Sequence, residues 1–378
     1  MSLREQFRAY RWDRRLLALY VVTVLAIVIY QGAIEMDNNF TVFRASFPHL
    51  AAGQDLYANY PFEYADEFKY SPTFALLFAP FSLMPVLVAL LLWNLLNALL
   101  LFYAVRRLLP GRDGTTALAL VYLEVVRTTQ RAQANALVAA LMVLAYLALE
   151  QRRQLAAVVA ITIGTFVKIF PIAGALLPLL VTSPSGLAAQ YASWHAIEGR
   201  DALASGGGGG AGLYGGVMYQ LRLWLGVNWP NWPIQLVGVI AQLAPLARRR
   251  CWSDADFRLR YLCSLLVFVV IFNHQAESPS FVIAVTGIAV WFVTSARRPL
   301  DVALMALTLL IVSVSSTELV PHALQRDVFV QYRLKTVPCV LAWLVMQAEL
   351  LGLRRGSRRP GGETDQSRTG RISILKPV

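Results

Sequence analysis

Residues 35–74 read EMDNNFTVFRASFPHLAAGQDLYANYPFEYADEFKYSPTF and hold the carboxylates best placed for proton transfer. Asp37 directly precedes Asn38 and Asn39, after which Phe40, Phe43, Phe47 and Leu50 recur at helical spacing. A carboxylate there can be a helix N-cap, satisfying free backbone N–H groups at the positive end of the dipole. It can also be a general base that takes the proton from a hydroxyl at a membrane surface. The two roles are compatible. Cations form the complementary set. Lys168 sits in FVKIFP, Arg127, Gln130, Arg131, Gln133 and Asn135 crowd RTTQRAQAN at 127–135, and NHQAESPS at 273–280 supplies His274 and Glu277. Facing one carboxylate, such groups suit a phosphate-activated leaving group. Each has a structural alternative: Lys168 can snorkel, Glu124 can neutralise Arg127 three residues on, and His274 and Glu277 can form a turn and a helix cap. No HExxH or paired-carboxylate metal signature occurs. The three cysteines, Cys251, Cys263 and Cys339, are too scattered for a thiolate zinc site or a disulfide framework. The run Gly206–Gly210 is a loop tip without the context of a phosphate loop. Neither a metal nor a cofactor is expected.

Membrane helices must position these groups. Of 378 residues, 57% are hydrophobic and 15% charged, against about 25% charged in a typical soluble domain. Too little polar surface remains to cover a core, which excludes an ordinary soluble enzyme. The net charge of +12 would point to nucleic acid in a soluble protein. Here the basic residues fall in short clusters between apolar runs, as cytoplasmic loops do, so nucleic acid is not an expected partner.

Taking apolar runs of ~17–25 residues as spans places the first, uncleaved helix at Leu16–Ile34 and leaves Glu35–Ser71 outside, with Phe40 to Leu50 as an amphipathic surface helix. Pro72–Tyr103 is broken at Met84-Pro85, Thr115–Leu149 is a hairpin turning near 127–135, and Leu155–Val181 is one span. After an outer segment, Thr182–Asn231, spans follow near Pro233–Ala247, Leu259–Phe272, Phe281–Thr294, Leu300–Ser313 and Val337–Leu351. The predicted fold is an all-α polytopic bundle of about ten membrane elements over residues 1–353, with both termini cytoplasmic and a basic, disordered tail at 354–378. This arrangement puts 24 of the 34 Lys and Arg residues inside, as the positive-inside bias requires. It puts all four histidines and 11 of the 22 acids outside. Chemistry is therefore expected on the outer face.

The order of these features resembles glycosyltransferase family 87, polyprenyl-phosphate-dependent enzymes of the multi-span C-type fold. The resembling segments are NNFTVFRASFPHLAAGQDLY, KYSPTFALLFAPFSLMP with LLWNLLNALL, QRAQANAL, the Lys of VKIFP, and NHQAESPSF, from about residue 37 to 295. The resemblance implies a lipid-linked sugar donor, typically polyprenyl-phosphate-mannose, transfer outside the cytoplasm with inversion, and a carboxylate base in the first outer loop. The family's base directly precedes the Phe-x-Val-Phe run, where this chain has Asn39. Asp37, two residues earlier, is the candidate in its place, with Asp66, Glu67 and Glu277 as alternatives. A second departure is the lone span Leu155–Val181, where relatives often have a further hairpin.

The expected function is inverting transfer of a hexose, mannose in the first instance, to an acceptor hydroxyl at the outer face of a bacterial cytoplasmic membrane. The partners are a polyprenyl-phosphate-hexose donor, a glycan or glycolipid acceptor, and membrane lipids. Asp37 is the candidate base and Lys168 a candidate phosphate contact. Lys69, Arg127 and His274 are further phosphate or sugar contacts, and Asn39, Gln133 and Asn135 hydrogen-bonding groups for sugar or acceptor. Arg44, Tyr70 and Glu277 complete the candidate substrate-binding set. A glycolipid transporter or an inactive family member acting in envelope assembly would use the same groups without chemistry.

Overall fold

The computed structural model describes residues 3–34, 38–168, 215–227, 229–317 and 319–354. Its elements are helical throughout, with no strand among the described residues. Helix α1 (Leu3–Ala33) carries the first apolar run and α2 (Asn38–Ala51) follows it. The broken block gives α3 (Pro72–Leu77), α4 (Ala79–Leu83) and α5 (Val86–Leu108). Ser71 caps α3, its Oγ accepting from the Phe74 N–H at 3.2 Å. Met84, forced towards extended backbone by the proline after it, separates α4 from α5 (φ −84°, ψ 160°). The expected hairpin is α6 (Arg112–Gln130) and α7 (Asn135–Glu150), followed by α8 (Gln154–Lys168). Then come α9 (Val217–Leu225), α10 (Asn231–Leu243), α11 (Ala255–Ile271), α12 (Phe281–Thr294), α13 (Pro299–Thr308) and α14 (Thr336–Leu350). Helix α9 lies in a stretch read from sequence only as an outer segment, and it buries Met218 and Tyr219.

Ten of the described helices, α1, α5 to α8 and α10 to α14, alternate in direction between two ends of the bundle. Helices α1 and α6 run parallel. Tyr20 donates to the Leu118 carbonyl (2.8 Å), Thr23 meets the Tyr122 hydroxyl (2.5 Å), and Gln31 donates to the Gln130 carbonyl (2.6 Å). At one end a belt of ion pairs ties helix termini together. It runs through Arg106–Asp13 (2.6 Å), Arg297–Asp113 (3.6 Å), Arg354–Asp301 (2.7 Å), Arg354–Glu349 (3.4 Å) and Arg260–Glu349 (4.0 Å) to Arg258–Glu150 (2.5 Å). These are the basic clusters that the charge count assigns to the cytoplasm.

One expectation is met in part and one changes. Only two described helices, Asp13–Ala33 and Val86–Leu108, are long and apolar enough by themselves to cross a membrane. Helices such as α12, with 14 residues, and α11, with 17, rise ~21–26 Å against a hydrocarbon core of about 30 Å. Helix α2 forms where expected, but its apolar face is packed into the protein. Phe43 meets the rings of Tyr70 (4.8 Å), Phe74 (5.1 Å), Phe78 (5.7 Å) and Trp93 (6.2 Å). The broken α3–α4 segment supplies aromatic partners that bury more of this face than a surface position would.

Helix α12 is the centre of the core: every residue but Phe292 and Thr294 is buried, as an all-round apolar helix requires. Gly287 lets it approach α11 closely, because a Cβ there would stand 2.6 Å from the Cys263 carbonyl oxygen and 2.9 Å from Leu266 Cβ. Backbone cannot yield as a side-chain tip can, so Gly287→Val is expected to cost more than the ~1–3 kcal/mol of ordinary overpacking. Thermal unfolding in detergent measures this, with Gly164→Ala as control. There the new Cβ meets Leu141 at an ordinary 3.5 Å, and stability should hold or rise by up to about 1 kcal/mol.

Candidate functional site

At the end opposite the ion-pair belt, α6 reverses into α7 through Arg131–Ala134, and the turn is pinned from two sides. Asn39 Nδ2 donates to the Arg131 carbonyl (3.2 Å), and Trp93 Nε1 donates to the Ala132 carbonyl (2.7 Å). Ala132 takes a left-handed backbone (φ 46°), a conformation that costs energy without glycine and persists where its surroundings hold it. The aromatic cluster under α2 thus fixes the turn carrying Arg131 and Gln133.

The turn forms one wall of a cavity of about 440 Å³. Asn38, Asn39 and Asp66 come from the first loop, Arg127, Arg131 and Gln133 from the α6–α7 turn, Glu277 and Ser278 from the 273–280 loop, and Arg333 and Lys335 from the residues before α14. Four cations and two carboxylates therefore share one space. Gln133 Nε2 donates to the Glu277 carboxylate (2.5 Å), and Asn135 Nδ2 donates to Gln133 Oε1 (2.6 Å). This relay settles which way the Gln133 amide points. Thr128 Oγ1 donates to the Pro279 carbonyl (2.9 Å). The Ser278 hydroxyl accepts from Arg127 Nη1 (3.0 Å) and Lys335 Nζ (2.6 Å). Asp66 receives the Glu67 N–H (2.8 Å) and pairs with Lys69 (3.4 Å).

Beneath the cations, Glu124 is fully buried in α6 and interacts electrostatically with Lys335 and Arg127. Burial pulls the Lys335 ammonium well below the usual lysine range and lowers the Arg333 guanidinium, as withdrawal from water disfavours any charged form. An anion entering the cavity restores what these cations lost in hydration. Arg333, like Ala132, has a left-handed backbone (φ 54°), and Gln220 of α9 donates to its carbonyl (3.3 Å).

Of the residues singled out from sequence, the cavity gathers Asn39, Arg127, Gln133 and Glu277, with Asn135 directly behind Gln133. Asp37 lies outside the described residues, as does the side chain of Lys168. Arg44 donates to the Met84 carbonyl (2.9 Å), tying α2 to the α4–α5 break. Lys69 pairs with Asp66, which itself lines the cavity. Tyr70 stacks on Phe74 (4.7 Å) and its carbonyl accepts from the Tyr57 hydroxyl (2.9 Å). Burial first, then the Glu277 and Asp66 carboxylates, push its phenol upward. His274 sits in the turn before Glu277 and, like Arg44, Lys69, Tyr70 and Glu67, is not among the described lining residues.

The sequence marks Arg131 only as part of a polar crowd and does not single out Ser278, Arg333 or Lys335. The signal for the last two was in the charge count. QYRLKT at 331–336 places two cations on the side that the positive-inside bias leaves poor in them.

Among the described residues, the helical bundle carries a polar, cation-rich cavity at one end of its helices, a class of site whose charge suits an anionic ligand. The model of glycosyltransferase family 87 matches residues 68–197. That family consists of glycosyltransferases, enzymes that pass a sugar from an activated donor to an acceptor. The match spans about a third of the chain, from Phe68 past Lys168, and includes the whole α6–α7 turn. The segments around Asn39 and Glu277 lie outside it. No curated protein and no solved structure matches the chain.

Proposed function

We propose that this protein transfers a hexose, mannose in the first instance, from a polyprenyl-phosphate donor to an acceptor hydroxyl, with inversion at the sugar carbon. Its ten alternating helices would cross a bacterial cytoplasmic membrane, with the ion-pair belt inside, the cavity outside and both termini cytoplasmic. The observation that carries this is the meeting of Arg127, Arg131, Arg333 and Lys335 with Asp66 and Glu277 in one cavity. Separate stretches of chain supply these cations, and four like charges gather so closely where an anion compensates them. The family match supplies the sugar.

In the step itself, the acceptor oxygen attacks the anomeric carbon as its proton passes to a carboxylate. The bond from that carbon to the phosphate oxygen breaks, and the phosphate leaves with the electron pair. Asp37 is the proposed base, one residue before Asn38 in the chain. The cations hold the phosphate and stabilise the charge it gains in the transition state. Asn39, Gln133 and the Gln133–Glu277 pair offer donors and acceptors to sugar hydroxyls, and Lys168 is a proposed further phosphate contact.

The experiment is transfer of labelled sugar by purified protein from polyprenyl-phosphate-mannose and polyprenyl-phosphate-glucose to a panel of glycan and glycolipid acceptors. Product from either donor, lost in Arg333→Ala with the protein still folded, is the expected result. No turnover of any donor, with folded protein confirmed, would overturn the proposal.

A further inference from the structure

Ser278 is the point where two of the cavity's cations converge, and its hydrogen-bond inventory is limited. A hydroxyl oxygen offers two lone pairs and one proton. Arg127 Nη1 (3.0 Å) and Lys335 Nζ (2.6 Å) both donate to it, so both lone pairs are taken. The O–H proton must then lie in the remaining tetrahedral direction, away from both cations. No described residue accepts it, and Ser278 lines the cavity together with its two partners. Two cationic donors on one oxygen also polarise its O–H bond and strengthen it as a donor. The serine is fixed from outside as well: Thr128 holds the next residue's carbonyl (2.9 Å), and Glu124, fully buried, interacts electrostatically with both cations.

We propose that the Ser278 hydroxyl is a dedicated hydrogen-bond donor to a phosphate oxygen of the bound ligand, held in that role by Arg127 and Lys335. The Ser278-bound oxygen lies on the side of the hydroxyl away from both cations, so the phosphate as a whole, not that one oxygen, is surrounded by donors from three separate stretches of chain. Only Ser278 among them is uncharged, so it adds affinity without adding to the charge repulsion in the site. That the phosphate is carried by a polyprenyl chain rests on the transferase function proposed above; that the site takes a phosphate oxygen does not.

The test is direct binding to the full-length protein in detergent, with short-chain polyprenyl phosphate, the matching uncharged polyprenol, and inorganic phosphate as probes. Removing a hydrogen bond to a charged group weakens binding roughly ten- to a hundredfold. Ser278→Ala is expected to lose that much affinity for the phosphate-bearing probes, while polyprenol binding stays unchanged and Ser278→Thr recovers most of the loss. The salt dependence of phosphate binding is expected to be the same in Ser278→Ala as in the wild type, because the hydroxyl carries no charge. If the serine were merely a spacer, its loss would displace Arg127 and Lys335 and flatten that dependence.

Wild-type affinity in Ser278→Ala would overturn the inference and leave the transferase proposal standing. Ser278-dependent phosphate binding in a protein that turns over no donor would support the inference and sink that proposal instead. Tight binding of inorganic phosphate but not of polyprenyl phosphate would assign the site to a free anion, with the role of Ser278 intact. No phosphate binding by folded wild-type protein would overturn it.

Discussion

Asp37→Asn is expected to lower sugar transfer by about 10²–10⁴-fold, the usual contribution of a general base, with little loss of folded protein. An acceptor hydroxyl cannot form the new glycosidic bond without giving up its proton. The two described carboxylates of the cavity already serve local partners. Glu277 receives the Gln133 amide (2.5 Å), and Asp66 holds Lys69 and the Glu67 N–H. Asp37 stands one residue before Asn38, and both Asn38 and Asn39 line the cavity. Its offset from the position of Asn39 is two residues, about 7 Å of extended chain. The double variant Asp37→Asn with Asn39→Asp therefore tests position as well as chemistry. It is expected to regain part of the lost turnover, though not all. An aspartate at 39 gives up the amide's bond to the Arg131 carbonyl, a loss of about 1 kcal/mol. Full turnover in Asp37→Asn would reduce Asp37 to a helix cap, and Asp66→Asn and Glu277→Gln would then be the variants to measure.

The scaffold was legible where local chemistry decides it. The α6–α7 reversal shows in the sequence as RTTQRAQAN between two apolar runs, and the α4–α5 break as Pro85, which lacks the N–H a continuous helix needs. Asn39, Arg127, Gln133 and Glu277 could be found because polar groups at the ends of apolar runs are conspicuous. Lys335 and Arg333 could not be found that way. The chain from Val314 to Lys335 passes through a 3₁₀ turn, a three-residue helix and a π turn, with no periodic pattern to place it. Its meeting with Arg127 is a contact across some two hundred residues, which no local rule encodes. The setting of α2 was misjudged for a related reason. Helical spacing of Phe40, Phe43 and Leu50 shows that a face is apolar, but not whether lipid or Phe74, Phe78 and Trp93 will cover it.

Glu124 is where stability and binding meet. It is fully buried beside Arg127 and Lys335, and a buried ionisable group is costly unless it is paired. Removing one partner of a buried charge set leaves the others uncompensated, typically at about 3–5 kcal/mol. Glu124→Leu is therefore expected to yield little folded protein. Glu124→Gln, which keeps the shape and removes the charge, should fold with a clearly lower thermal midpoint in detergent. Adding Lys335→Met to Glu124→Gln removes one of the stranded cations, and the double variant should be more stable than Glu124→Gln alone, a coupling of about 0.5–3 kcal/mol. A bound phosphate can supply the same missing charge from the other side. Polyprenyl phosphate should thus raise the midpoint of Glu124→Gln by more than it raises that of the wild type, since a ligand stabilises in proportion to its preference for the folded state. Were Glu124→Gln to unfold at the wild-type temperature, the carboxylate would not be holding the cations, and the charge of the cavity would have to be balanced by Asp66 and Glu277 alone.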